Sequence, residues 1–141
     1  MPSVNINLVA LAAAVVFNML LGYIWYSKPV FGKMWQKLVG LSDKDMDGAD
    51  KVTPMVAMLI LAIVEIFVLN HFVAYSAYFY PGYSDVSVGL LTGLWIWVGF
   101  VFPVMASNYM FAQRRKKLVL IDSGYQLVVL LVAGVILSVW K

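Results

Sequence analysis

The sequence predicts an all-α integral membrane protein: a bundle of four transmembrane helices with a short cytoplasmic interfacial helix after the first. Three observations carry this. Of 141 residues, 63% are hydrophobic and 12% charged, whereas a soluble domain carries about a quarter charged residues. Four apolar runs are each long enough for a helix to cross a bilayer, which takes about 20 residues. Alternation of apolar and polar residues is absent, so the spans are helices rather than barrel strands. The length allows one domain, residues 1–141, with no separate soluble module.

The first run covers about 6–26. Residues 1–7 (MPSVNIN) hold no Lys or Arg. The run is too long for a signal-peptide core and lacks a small-residue cleavage site, so a retained span is expected. The stretch WYSKPVFGK (25–33) follows. Trp25 and Tyr26 suit headgroup depth, and Pro29 suits the first turn of a new helix. Val30, Phe31, Met34, Trp35, Leu38 and Val39 share one face, Lys33, Gln36 and Lys37 the other, and Gly40 can close the helix. An interfacial helix over about 29–40 follows, with its lysines near anionic headgroups.

An acidic loop covers 41–53. Asp43-Lys44-Asp45-Met46-Asp47-Gly48 matches the opening of a calcium loop, but Pro54 stands where the bidentate acid belongs and Asp50 where an apolar residue belongs. Ser42 as N-cap with Asp45 as its capping partner is the plainer account.

The second span covers about 55–78, the third about 86–111 and the fourth about 118–140. In the third, Gly89-x-x-x-Gly93 is a helix-contact signature, for internal packing or a homodimer seam. Pro103, with Gly99 one turn earlier, predicts a kink that frees a carbonyl. In the first, Ala10, Ala14, Asn18 and Gly22 recur every four residues and make a second small-residue face, an alternative homodimer seam.

Orientation follows from the cations. Lys28, Lys33, Lys37, Lys44 and Lys51 lie between spans one and two, and Arg114, Arg115, Lys116 and Lys117 between spans three and four. Nine of ten positive residues therefore fall on one side, leaving Lys141 for the other. The positive-inside rule puts both basic loops in the cytoplasm and both termini outside, in a bacterial inner membrane. Trp25, Tyr26, Lys28, Trp35, Arg114 and Arg115 are the expected membrane-interface anchors.

WYSKPVFGKMW, WIWVGFVFP with SNYMF, LIDSGYQL and GVILSVW, in that order, resemble a family of small bacterial membrane proteins, catalogued as domain of unknown function 1761. The likeness covers nearly the whole chain and is most specific at Trp25–Lys33 and Gly99–Tyr125. It implies a four-span helical membrane protein with no established activity. It does not extend to Glu65 and His71, in the second span.

Glu65 is the sharpest chemical feature. It lies about ten residues into a span, near the bilayer midplane at ~1.5 Å per residue. A charge there costs roughly 2.5–3.5 kcal/mol, against roughly −4 to −7 kcal/mol from about twelve Leu, Ile, Val and Phe in the same span. Insertion wins. The side chain is either proton-titrating or ligand-facing, or neutral and hydrogen-bonded between helices. Asn18 and Gln126 are its expected partners in depth.

A second polar group forms from Ser107, Asn108 and Tyr109 ending span three and Asp122, Ser123, Tyr125 and Gln126 beginning span four. Asp122, Tyr125 and Gln126 share one helix face. Asp122 is expected to favour the start of its helix or to pair with Arg114 or Arg115. The ligand-binding or proton-titrating candidates are thus Glu65, Asn18, Asn108, Asp122, Tyr125 and Gln126; the other reading makes the Asp122 group a buried polar clasp joining spans three and four, and Asn18 a hydrogen-bonding link between helices. His71 is expected to be a packed residue.

With no cysteine and one histidine, thiolate chemistry and a multi-histidine metal site within the chain are excluded. No metal-ligand set, phosphate loop or nucleophile–base pair emerges, so no cofactor and no catalytic residue are assigned. The basic loops read as topology determinants and lipid contacts, not as a nucleic-acid patch. The expected function is binding or transport of a small molecule or lipid within the membrane, by a homo-oligomer. The alternative is a structural or accessory protein packing against partners or lipid; a membrane enzyme using Asp122 and Tyr125 ranks last.

Overall fold

The structure, a computed structural model, describes residues 4–113 and 115–140. Among these, every regular element is helical: α1 (Leu8–Trp25), α2 (Lys33–Val39), α3 (Asp43–Gly48), α4 (Val52–Phe79), α5 (Asp85–Ile96), α6 (Phe102–Phe111) and α7 (Lys116–Val139). Two π-helical turns, Lys28–Gly32 and Trp97–Val101, lead into α2 and join α5 to α6. The α5–α6 unit runs on as one span, Asp85–Phe111. With α1, α4 and α7 it makes four helices long and apolar enough to cross a membrane. The fold is the all-α, four-span architecture that composition implies.

Short polar side chains start most of these helices by accepting otherwise unpaired backbone N–H groups. Asn7 Oδ1 accepts from Val9 and Ala10 at the head of α1. Asp50 Oδ1 does the same for Val52 and Thr53 before α4. Ser42 and Asp45 form the expected capping box of α3. Gly40, at φ 81°, ends α2 in the left-handed conformation that glycine adopts without strain. The start of α7 is different: Arg115 supplies no side-chain cap, Lys116 and Lys117 follow, and no acid lies in the first turn. Cations there oppose the helix dipole, at about 0.3–1 kcal/mol each.

Both π turns have a local cause. In the first, the Gly32 N–H reaches back five residues to the Ser27 carbonyl at 2.8 Å. A Cβ on Gly32 would strike the Tyr26 carbonyl oxygen and lie 2.7 Å from the Ser27 carbonyl. Only glycine fits the wide turn, which explains the spacing of WYSKPVFGK. In the second, the Phe102 N–H bonds to the Trp97 carbonyl, and Pro103 next to it has no N–H to give. The kink expected at Pro103 is thus absorbed as a widened turn.

Helix α7 is the centre of the bundle and packs against α1, α2, α4, α5 and α6. The core lies where Ala10, Ala14 and Val15 meet Ala62, Ile66, Leu69 and Val73 and the α7 residues Val129, Leu130, Ala133 and Leu137. Helices α5 and α7 come closest. A Cβ on Gly89 would lie 2.5 Å from the Gly134 carbonyl oxygen and one on Gly134 2.5 Å from that of Gly89, while one on Gly93 would strike the Leu130 carbonyl.

Both small-residue faces read from the sequence are used within the chain. Gly89 and Gly93 are consumed against α7, and on the other face Ala10, Ala14, Asn18 and Gly22 are buried within the same chain. Small residues drive close approach wherever the partner helix stands, and here the partner is intramolecular.

Candidate functional site

Two polar clusters meet in the half of the bundle that holds the end of α1 and the start of α7. The first joins three spans. Asn18, 4% exposed, donates from Nδ2 to Glu65 Oε2 at 3.3 Å. Its Oδ1 accepts from the Tyr125 hydroxyl. One amide therefore ties α4 to α7 through α1. Gly22 gives the hydroxyl its room, since a Cβ there would lie 3.1 Å from it. Gln126, the other partner expected for Glu65, takes no part in this chain of bonds. Its buried Oε1 has no hydrogen-bond partner among the described residues.

The second cluster is built on Asp122, and here the sequence expectation is corrected. Helix α7 begins at Lys116, so Asp122 lies in its second turn, too deep to complement the dipole. Its carboxylate accepts from the Tyr26 hydroxyl at 2.8 Å and the Tyr109 hydroxyl at 2.6 Å. Hydroxyl donors reach it from α6 and the end of α1, while Arg115 is exposed and Arg114 lies outside the described residues.

Trp25 and Tyr26 likewise turn inward. Trp25 Nε1 donates to the Ile121 carbonyl at 3.1 Å. The Tyr26 ring stands edge-on to Trp35 and Tyr125, with centroids 5.8 and 5.5 Å away. Trp97 Nε1 adds a bond to the Ser123 carbonyl at 2.7 Å. Two indole N–H groups and two phenol hydroxyls thus grip one stretch of α7, Ile121 to Ser123. Their polar tips are spent inside the protein, where an unpaired group would cost more than one left at headgroup depth.

Beside Asp122 opens a cleft of ≈ 270 Å³ lined by Trp35, Val39, Asn108, Tyr109, Ala112, Leu118 and Asp122. Its walls are mostly apolar and aromatic, with one carboxylate and one carboxamide among them. That is the make-up of sites that orient a small ligand through few polar contacts.

The remaining candidates lie apart. His71 Nδ1 is 2.9 Å from the Phe67 carbonyl, one turn back on its own helix, and its ring packs on Phe67. Lys28 makes an exposed ion pair with Asp43 at 3.9 Å, which contributes little. Among the described residues no group of three or more His, Asp or Glu could hold a metal ion.

Sequence reasoning placed Tyr109 in one polar group with Asp122 and missed Tyr26 as its second partner. The signal was present: Tyr26 ends the first apolar run, on the same side of the membrane as the start of the fourth span.

A four-span helical bundle with buried polar clasps and one carboxylate-bearing cleft defines a class of small polytopic protein, not an activity. Within that class, the chain belongs to the family described as protein of unknown function DUF1761, whose model matches residues 9–138. A comparison with curated proteins finds no match, and one with solved structures finds none.

Proposed function

We propose that this protein binds a small molecule or lipid within a bacterial inner membrane, in the cleft beside Asp122. The observation that carries the reading is a partly buried carboxylate, held by two tyrosine hydroxyls, at the edge of an apolar and aromatic cleft. Two incoming hydroxyls leave acceptor capacity on a carboxylate. A ligand with an N–H or O–H donor would meet a pre-oriented acceptor between Trp35 and Tyr109. Transport of that ligand would draw on Glu65 as the titrating group.

The orientation that goes with this reading puts both termini outside and the cleft at the cytoplasmic end, with residues 28–39 lying in the interface. A homo-oligomer would use an outward apolar face, of which that of α4 is the longest.

Native mass spectrometry of the protein released gently from lipid nanodiscs tests the binding. A reproducible extra mass is expected on the native chain and its loss in Ala112→Trp, which fills the cleft and leaves the Tyr26–Asp122–Tyr109 bonds alone. A bare protein, or adducts none of which is lost in Ala112→Trp, would refute the reading. The alternative, a structural or accessory protein, is favoured by the long outward face of α4, which buries a single stripe through Ala62, Ile66, Leu69 and Val73. A stable co-purifying partner protein would select it.

A further inference from the structure

We infer that the groove between α2 and the start of α7 is a binding site for an anionic phosphate group, supplied by a phospholipid headgroup. The groove has a volume of ≈ 640 Å³ and is lined by Lys33, Met34, Lys37 and Leu38 from α2, by Arg115 just before α7 and by Lys116 and Lys117 at its start. It is separate from the Asp122 cleft and does not rest on the function proposed for it: Trp35 and Val39 of α2 line that cleft, and their neighbours line this groove.

Charge is the first argument. Five cations from two elements line one hollow, and the ion pair found among the described residues, Lys28–Asp43, lies outside it. Like charges gathered without acids repel one another, and an anion seated between them removes that cost. Phosphate oxygens suit this set, with arginine as a fork and lysines as point charges.

The second argument selects the source. Lys33 and Lys37 are one turn apart, and Met34 and Leu38 form the adjacent row, so α2 presents cations and apolar groups side by side. A free ion gains nothing from Met34 and Leu38. A lipid does, because its phosphate is joined to a glycerol and acyl portion that covers apolar surface. The groove is also far larger than a single oxyanion, and a cationic helix face next to an apolar one is the pattern that lies at a headgroup boundary.

The test titrates phosphatidylglycerol and phosphatidylcholine of equal chain length into the detergent-solubilised full chain, with inorganic phosphate in parallel. Adducts are counted by native mass spectrometry. Phosphatidylglycerol is expected to bind in preference to phosphatidylcholine. The double variant K33Q/K37Q should weaken it about 20-fold. The control K44Q/K51Q removes the same charge from the same connection outside the groove, and should leave binding unchanged. All four lysines are exposed, so an unshifted melting temperature shows that the fold is kept. Equal losses in the two double variants would mean diffuse attraction and overturn the site. So would the absence of a headgroup preference, or inorganic phosphate competing as well as the lipid.

Discussion

Asn18 has little freedom left: its amide donates to Glu65 and accepts from Tyr125 while the residue itself is buried. Asn18→Ala strands two polar groups at once, and each stranded group costs about 1–3 kcal/mol. The expected loss is about 3 kcal/mol or more, read as a shift in the unfolding midpoint in micelles. Glu65→Gln keeps an acceptor facing Asn18 and should cost less than about 1 kcal/mol. If the two variants were equally destabilised, the bridge would not carry the packing assigned to it. Glycine makes a similar contrast. A Cβ at Gly93 runs into the backbone of α7, whereas one at Gly99 meets open space. Gly93→Ala should therefore lose about 1–3 kcal/mol by overpacking. Gly99→Ala should be neutral or gain up to about 1 kcal/mol from helix propensity.

At the scale of elements, α3 is the clearest case of a helix set by its own sequence. It is short and exposed, and Ser42 and Asp45 bond reciprocally across its first turn. Hydrogen bonds from the Ser42 hydroxyl and then its backbone N–H hold the Asp45 carboxyl below the usual carboxylate range. A depressed pKa means that the stabilisation is present above the ordinary carboxylate pKa and fades as pH falls through the lowered one. Amide exchange over residues 45–48, compared with the unstructured rate at the same pH, should accordingly be slowed at neutral pH and lose that slowing only as the Asp45 carboxyl protonates in acid. Ser42→Ala should speed it at neutral pH, by a local cost of about 1 kcal/mol. The π turns also follow from single residues, Gly32 and Pro103. Trp97 shows where an element depends on its neighbour: its indole bond to the Ser123 carbonyl ties the second π turn to α7, and Trp97→Phe should cost about 0.5–1.5 kcal/mol.

At the scale of the molecule, the charge bias and the bundle make one prediction together. The chain has no cysteine, so a single introduced thiol reports its own side of the membrane. Gly82, in the turn between α4 and α5, and Gly48, at the end of α3, both have open space around them. In intact cells, Gly82→Cys should react with an impermeant maleimide, and Gly48→Cys should react only after the membrane is opened. The reverse pattern would invert the proposed topology, and labelling of both from outside would break the positive-inside argument.

What the sequence by itself determined is the part written in local physics. Span number comes from the length of apolar runs, the capping box from Ser42 and Asp45, and Glu65 and Asn18 stand out because polar groups inside a span are costly. Only the tertiary structure decided which way each helix faces. In a water-soluble bundle the apolar stripe names the buried side, but a span is apolar all round, and lipid and protein interior look alike to its side chains. Trp25 and Tyr26 therefore read equally well as lipid anchors or as inward donors, and Gly89–Gly93 as a dimer seam or an internal contact. The choice was made by close fit against α7. Asp122 was likewise visible as part of a polar group near the start of a span, but its two tyrosines lie 96 and 13 residues away along the chain, and only the packing of α1 and α6 around α7 brings them to one carboxylate.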